Sequence, residues 1–199
     1  MNPEIAPPRI ETERLVLAIP SIPQAGRMLL YQVKNEEHFA PFTPPRSPRL
    51  GTVGYWEETV RGYAEERRTG IAVRLAMFDK RDPDGPILGT CSLSNILFGP
   101  YRGAILGFGI DCDQQGRGLM TEAVRATVAY AFETLKLHRV TANHLPTNER
   151  SASLLRRAGF AVEGYARDYL FIDGKFRDHV LTSCTNPALE DALTLIAPR

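Results

Sequence analysis

One stretch constrains this chain more than any other: Phe108-Gly-Ile-Asp-Cys-Asp-Gln-Gln-Gly-Arg-Gly-Leu-Met-Thr-Glu122. The residues from Gly103 to Cys112 read as a strand, and a turn holding Gly116 and Gly118 follows. From about Gly118 to Leu135 apolar residues return at Leu119, Met120, Ala123, Val124, Thr127, Val128, Ala131, Phe132 and Leu135. A period of about 3.6 with one apolar face is an amphipathic helix. The two glycines let the backbone approach a ligand with no Cβ in the way. The first amides of a helix lack internal partners and sit at the positive end of its dipole. Such a turn takes a pyrophosphate or similar anion, and Arg117 adds a fixed positive charge. A plain glycine-rich turn without a ligand explains the same residues. The stretch matches neither the Gly-x-x-x-x-Gly-Lys loop nor Gly-x-Gly-x-x-Gly.

The rest of the chain supplies a sheet for this helix. Strands are predicted at Arg14–Ile19, Ile71–Phe78, Ile87–Leu97, Gly103–Cys112 and His138–His144. A hairpin of Tyr165–Ile172 and Phe176–Ser183 closes on Asp173-Gly174, a strong two-residue turn signal. Helices are predicted at Ile22 to about Asn35, Tyr55–Thr69 and Asn148–Ala158, the last closed by Gly159. The proline stretch Ala40–Pro48 is expected to be extended, since proline disfavours helix at itself and just before it. Strands early and alternating helices and strands later predict a mixed α/β (α+β) sheet. The 199 residues suit one domain, 1–199, with a core of about 11–185.

Composition excludes several classes. A net charge of +1 does not suit a nucleic-acid binder. No apolar run is long enough to cross a bilayer, and Met1 to Pro8 lack the features of a signal peptide. Cys91, Cys112 and Cys184 are odd in number and form no Cys-x-x-Cys pair, which disfavours a disulfide framework or a zinc site. Each is expected to be a small apolar side chain in a sheet. The expectation is a reduced, cytoplasmic protein without a bound metal, a monomer or homodimer.

Gln115-Gly-Arg-Gly-Leu-Met120 resembles the coenzyme-A signature [Arg/Gln]-x-x-Gly-x-[Gly/Ala] of the GNAT acetyltransferases, with Met120 in place of the small last residue. Asn148-Glu-Arg-Ser151 and Leu154-Leu-Arg-Arg-Ala-Gly-Phe160 resemble that family's Asn-x-x-Ser…Gly-Phe segment. Arg139 to Asn148, Glu163 to His179, Thr12 to Leu17 and His38 to Phe42 are similar to the RimJ/RimL-type ribosomal-protein-alanine N-acetyltransferase branch. The resemblance spans about Glu11 to Thr185. It implies a six- to seven-stranded, mostly antiparallel sheet, splayed between its fourth and fifth strands and flanked by helices. It implies acetyl-CoA as co-substrate, held by Ile110, Cys112, Gln115, Gly116, Arg117, Gly118, Leu119, Met120, Thr121, Asn143 and Asn148.

The same resemblance implies direct attack of an amine on the thioester, helped by a backbone amide near the end of the Ala104–Cys112 strand. Many relatives place a tyrosine acid seven residues after the asparagine; here that residue is Leu155, and Ser151 becomes the candidate acid. Asn148 and Ser151 also make a good helix-cap pattern in their own right. Glu163, Asp111 and Asp168 are candidate bases, and His138 and His144 candidate relays. Each has a structural reading too: the acids as solvated or paired surface groups, His138 as a structural residue at a strand start. The proline loop and the tip from Asp173 to Phe176 either wall the acceptor site or simply pack the surface. The acceptor implied is a protein N-terminus, such as the alanine of a ribosomal protein. A small amine, such as an amino acid, polyamine or antibiotic, and an inactive coenzyme-binding module are the competing readings.

Overall fold

The computed structural model describes residues 7–44 and 48–189. The first six residues, and the middle of the proline stretch, lie outside them. Eight strands form one sheet: β1 (Arg9–Glu11), β2 (Leu15–Ala18), β3 (Val73–Asp79), β4 (Gly89–Leu97), β5 (Gly103–Ile110), β6 (Arg139–His144), β7 (Ala161–Ile172) and β8 (Lys175–Thr185). Their order is β1-β2-β3-β4-β5-β6-β8-β7. All neighbours are antiparallel except β5 and β6, which run parallel. The mixed, mostly antiparallel sheet is as expected, with one strand more: three residues at β1 are too short to show a period of two.

Alternation along the strands sorts side chains onto two faces. Val73, Leu75 and Met77 of β3, Cys91 and Leu93 of β4, and Ala104 and Leu106 of β5 join one core with Ala123, Val124 and Val128 of α4 (Leu119–Glu133). Leu154 and Leu155 of α5 (Glu149–Arg157) complete it. On the opposite face, Val16, Ala76 and Phe78 pack against Met28 and Tyr31 of α1 (Ala25–Lys34) and Trp56 of α3 (Val53–Thr69). A short helix, α2 (Glu36–Phe39), follows α1 directly.

Two expectations about loops are corrected. Pro41 lies in the first turn of a 3-10 helix, Ala40–Phe42, and Pro48 opens another, Pro48–Gly51. Proline's fixed φ suits the first turn of a helix, where its missing N–H costs nothing. Cys112 is outside the sheet, in the 3-10 turn Cys112–Gln114, whereas Cys91 and Cys184 lie in strands as expected. Asp173 and Gly174 both take positive φ, 52° and 75°, as a two-residue hairpin turn requires.

Candidate active site

The parallel pair β5 and β6 holds together only over Gly103↔Arg139, Ala104↔Val140 and Ile105↔Thr141. Beyond that register the strands part, at the splay implied between the fourth and fifth of the predicted strands. The Asp111 amide donates to Leu88 O on the β4 side. By alternation, the N–H and C=O groups of Phe108 and Ile110 face the opening instead. Across it, Arg139 N donates to Arg102 O on the β5 side, so the backbone of Asn143, four residues on, faces the same gap. The Asn143 side chain is bonded elsewhere, donating Nδ2 to the Tyr169 hydroxyl at 3.2 Å.

Both strands lead into helices that start at this opening. Gly116 and Gly118 hold φ of 73° and 77°, the left-handed region that favours glycine. Gly118 is the N-cap of α4 and offers no side-chain cap. The first helical bond there is Glu122 N to Gly118 O, 3.1 Å, so the amides of Leu119, Met120 and Thr121 precede the ladder. They form, with the exposed backbone of Gly116 to Gly118, the kind of cradle that takes a phosphate. α5 starts beside it: Arg150 Nη1 donates to Gln115 Oε1, and further along Arg125 Nη2 donates to Arg157 O. The two helices therefore run side by side with their N-termini at one end.

Interactions missed at the level of sequence hold the cradle. Glu122, in the first turn of α4, accepts from Thr12 Oγ1 at 2.6 Å, from Arg14 N at 2.9 Å and from Arg14 Nε at 2.7 Å. Arg14 Nη1 donates to Arg117 O at 2.9 Å. Burial would raise the Glu122 carboxyl, but these donors hold it below the usual glutamate range. The only trace in the sequence was the Thr12-Glu-Arg-Leu match. Gln115 is a bridge as well, with Nε2 of its amide 2.6 Å from His38 Nε2. Arg117 Nη1 donates to Gln114 Oε1.

The remaining candidates divide. Asn148 caps α5, its Oδ1 accepting from Ser151 N at 3.1 Å, and Ser151 is half-buried in the first turn of that helix. Leu155 is buried in the main core at 1% exposure. Asp111 does not sit free as a base. Its carboxylate is buried and accepts from Lys34 Nζ at 2.8 Å, Asn35 Nδ2 at 3.0 Å and the Asp113 amide. Burial opposes ionisation, yet Lys34, Asn35 and that amide keep the carboxyl below its ordinary value, and the Lys34 ammonium is raised in turn, chiefly by Asp111. The Cys112 amide is likewise taken, donating to Asn35 Oδ1 at 2.8 Å. Glu163 sits at a bulge in β7, accepting from Ser183 Oγ and from Arg139 Nη2, both at 2.6 Å. Those bonds, the serine first, depress its carboxyl. It lies toward the end where β5 and β6 still pair. Asp168 is exposed on β7, and its amide donates to Asp178. His144 is buried with Nδ1 on Leu145 O, and His138 N donates to Arg102 O. Burial pushes the Cys91 thiol up to about 12, which suits a core residue.

On the sheet face under α1 and α3 lies a cavity of about 360 Å³ that reaches Gly107 and Gly109 of β5. Tyr31, Phe39, Trp56 and Tyr63 wall it, and Thr90 and Ser92 of β4 floor it. Tyr31 donates its hydroxyl to Gly109 O at 3.1 Å. No carboxylate is among the described lining residues, and Arg74 alone among them carries a charge.

A split sheet with a cradle of free helix amides at one end of the split and an open-mouthed cavity beside it is the architecture of a coenzyme-A-dependent acyltransferase. Residues 14–161 match the acetyltransferase (GNAT) domain, and the chain belongs to that family of acetyl-transferring enzymes. It is 37% identical over 179 residues to the [ribosomal protein uS5]-alanine N-acetyltransferase of Escherichia coli strain K12, covering 90% of this chain and 91% of that one. The crystal structure of the ribosomal-protein-S5-alanine acetyltransferase from Vibrio fischeri, 33% identical, superposes with a TM-score of 0.85 over 90% of this chain and 97% of that one. Mycobacterium smegmatis RimJ in complex with CoA-disulfide, 24% identical, shares the fold at a TM-score of 0.84 over 92% of this chain and 90% of that one. Among the described residues no helix is long and apolar enough to cross a membrane.

Proposed function

We propose that this protein transfers the acetyl group of acetyl-CoA to the N-terminal α-amine of a protein, with the alanine of a ribosomal protein as acceptor. The likeness to the uS5-alanine enzyme along 90% of the chain carries the reading. The cavity supports it: no carboxylate is among the described lining residues, which suits a peptide better than a polyamine. The chain acts as one domain in the cytoplasm, as a monomer or homodimer.

Acetyl-CoA supplies a thioester that an uncharged amine attacks directly. The amides of Gly116 to Thr121, with Arg117, hold the phosphates. Phe108, Ile110 and Asn143 present backbone groups to the pantetheine arm in the opening, and an amide of the β5 edge polarises the carbonyl. Ser151 protonates the departing thiolate, since Leu155 has no proton to give, and the proton shed by the acylated nitrogen restores its hydroxyl through water. An α-amine titrates at about 7.7–8.0, so much of it is neutral near that pH and a strong base is not required. Glu163 and Asp111, already held by Arg139 and Lys34, are left out of the base role.

The test is thiol release from acetyl-CoA with short peptides beginning Ala, Ser or Met, and with spermidine. Turnover of the Ala peptide in preference to spermidine is expected. Release with spermidine and with none of the peptides refutes the reading.

A further inference from the structure

The register of the sheet lays a path from the opening to a single cation. Arg74, Ser92 and Gly107 are cross-strand partners on β3, β4 and β5, and so are Ala76, Thr90 and Gly109. Partners share a face, so both rows form the cavity floor. A Cβ at Gly107 would meet nothing within 4 Å, so the strand beside the opening is bare where a substrate would cross it. Two interstrand steps of about 4.8 Å place Arg74 roughly 10 Å from that strand. An extended peptide advances about 3.3 Å per residue, so with the amine beside β5 the third residue stands about 7 Å further on, and its side chain and that of Arg74 span the remaining few ångströms.

What waits there is rich in donors. Glu66 binds Arg74 Nε at 2.8 Å and Nη2 at 3.3 Å. A guanidinium has five N–H donors, so about three remain beyond that pair. Glu66 itself is not among the cavity-lining residues, and Arg74 is. Burial pushes the Tyr63 phenol up to about 12, so it stays a neutral hydroxyl in the same wall. Ser92 and Thr90 add two more hydroxyls. We infer that Arg74 is a specificity-determining residue that favours acceptors carrying a carboxylate on their third residue. The inference rests on the α-amine reading above and names a feature of the acceptor.

The experiment compares kcat/KM for Ala-Ser-Glu, Ala-Ser-Gln and Ala-Ser-Lys peptides of otherwise identical sequence, in the parent protein and in Arg74→Gln. In the parent the order Glu, Gln, Lys is expected, with about a tenfold span from first to last, which corresponds to about 1.4 kcal/mol. In Arg74→Gln the span should shrink to within about twofold, and because it is a ratio within one protein, a loss of folded material cancels. Moving the glutamate to the second residue should forfeit the advantage. Equal kcat/KM for the three peptides in the parent, or an undiminished span in Arg74→Gln, overturns the inference and leaves the α-amine reading standing. Turnover of none of them overturns both.

Discussion

Glu122→Gln tests the idea that the N-terminal strand segment braces the coenzyme cradle. The side chain keeps its shape but loses its charge, and its new amide group faces Arg14 donors where an oxygen stood. The carboxylate accepts from Thr12 Oγ1, Arg14 N and Arg14 Nε and pairs with Arg14 Nη2 at 2.7 Å, with the glutamate 18% and the arginine 46% exposed. A hydrogen bond to a charged group contributes about 1.5–3 kcal/mol, and the open arginine end discounts it by solvent screening. A loss near 2 kcal/mol is expected, read as a lower urea midpoint at unchanged m-value. Because the folded pKa of Glu122 is depressed, its stabilisation is present above the unfolded glutamate value of about 4.3 and is lost as pH falls through the lower folded value. The parent should therefore lose part of its advantage over the variant in that acid range. The function is coupled through Arg14 Nη1 on Arg117 O: a loosened arginine frees the turn, and coenzyme-A affinity by calorimetry should fall about tenfold. An unchanged midpoint would show that the network adds no net stability. A lower midpoint with unchanged affinity would show that the brace does not order the cradle.

Further outcomes follow from the same geometry. Gly118→Ala forces a Cβ into φ of 77°, at a cost of about 1–2 kcal/mol; calorimetry should show weaker coenzyme binding, and equal binding would refute the requirement for left-handed backbone. Ser151→Ala keeps the backbone amide that Asn148 caps, so coenzyme affinity should stay within about twofold while turnover falls by about a hundredfold, the lower end for a lost general acid; intact turnover removes Ser151 from that role. Asn148→Ala should lower the unfolding free energy by about 1 kcal/mol through the lost cap, measured by urea titration. Gly107→Val projects a branched side chain onto the cavity floor, and peptide KM should rise at least tenfold, on the order of 1.4 kcal/mol, with coenzyme affinity kept; an unchanged KM would place the acceptor elsewhere.

The unequal legibility of this chain has a physical cause. The β5-turn-α4 unit is local: glycine spacing, a helix of period 3.6 and a helix start all fall close together in the chain, so its conformation could be read from the sequence. The cap at Asn148, the glycine at 159 and the turn at Asp173-Gly174 were legible for the same reason. What stayed hidden joins distant parts of the chain. Glu122 finds Thr12 and Arg14 across more than a hundred positions. Asn35, which ends α1, is fully buried because it reaches Asp111 and Cys112. That tie occupies the Asp111 carboxylate with three donors and the Cys112 amide with one acceptor, which leaves those two groups little to offer a substrate. The cavity draws on α1, α3 and three strands and has no motif at all. Its one sequence signal was Arg74, a charge inside the apolar run Val73-Arg-Leu-Ala-Met77. Alternation puts such a charge on the face opposite the α4 core, and a charge there, half covered and paired with a single carboxylate, marks where an otherwise apolar strand meets something polar.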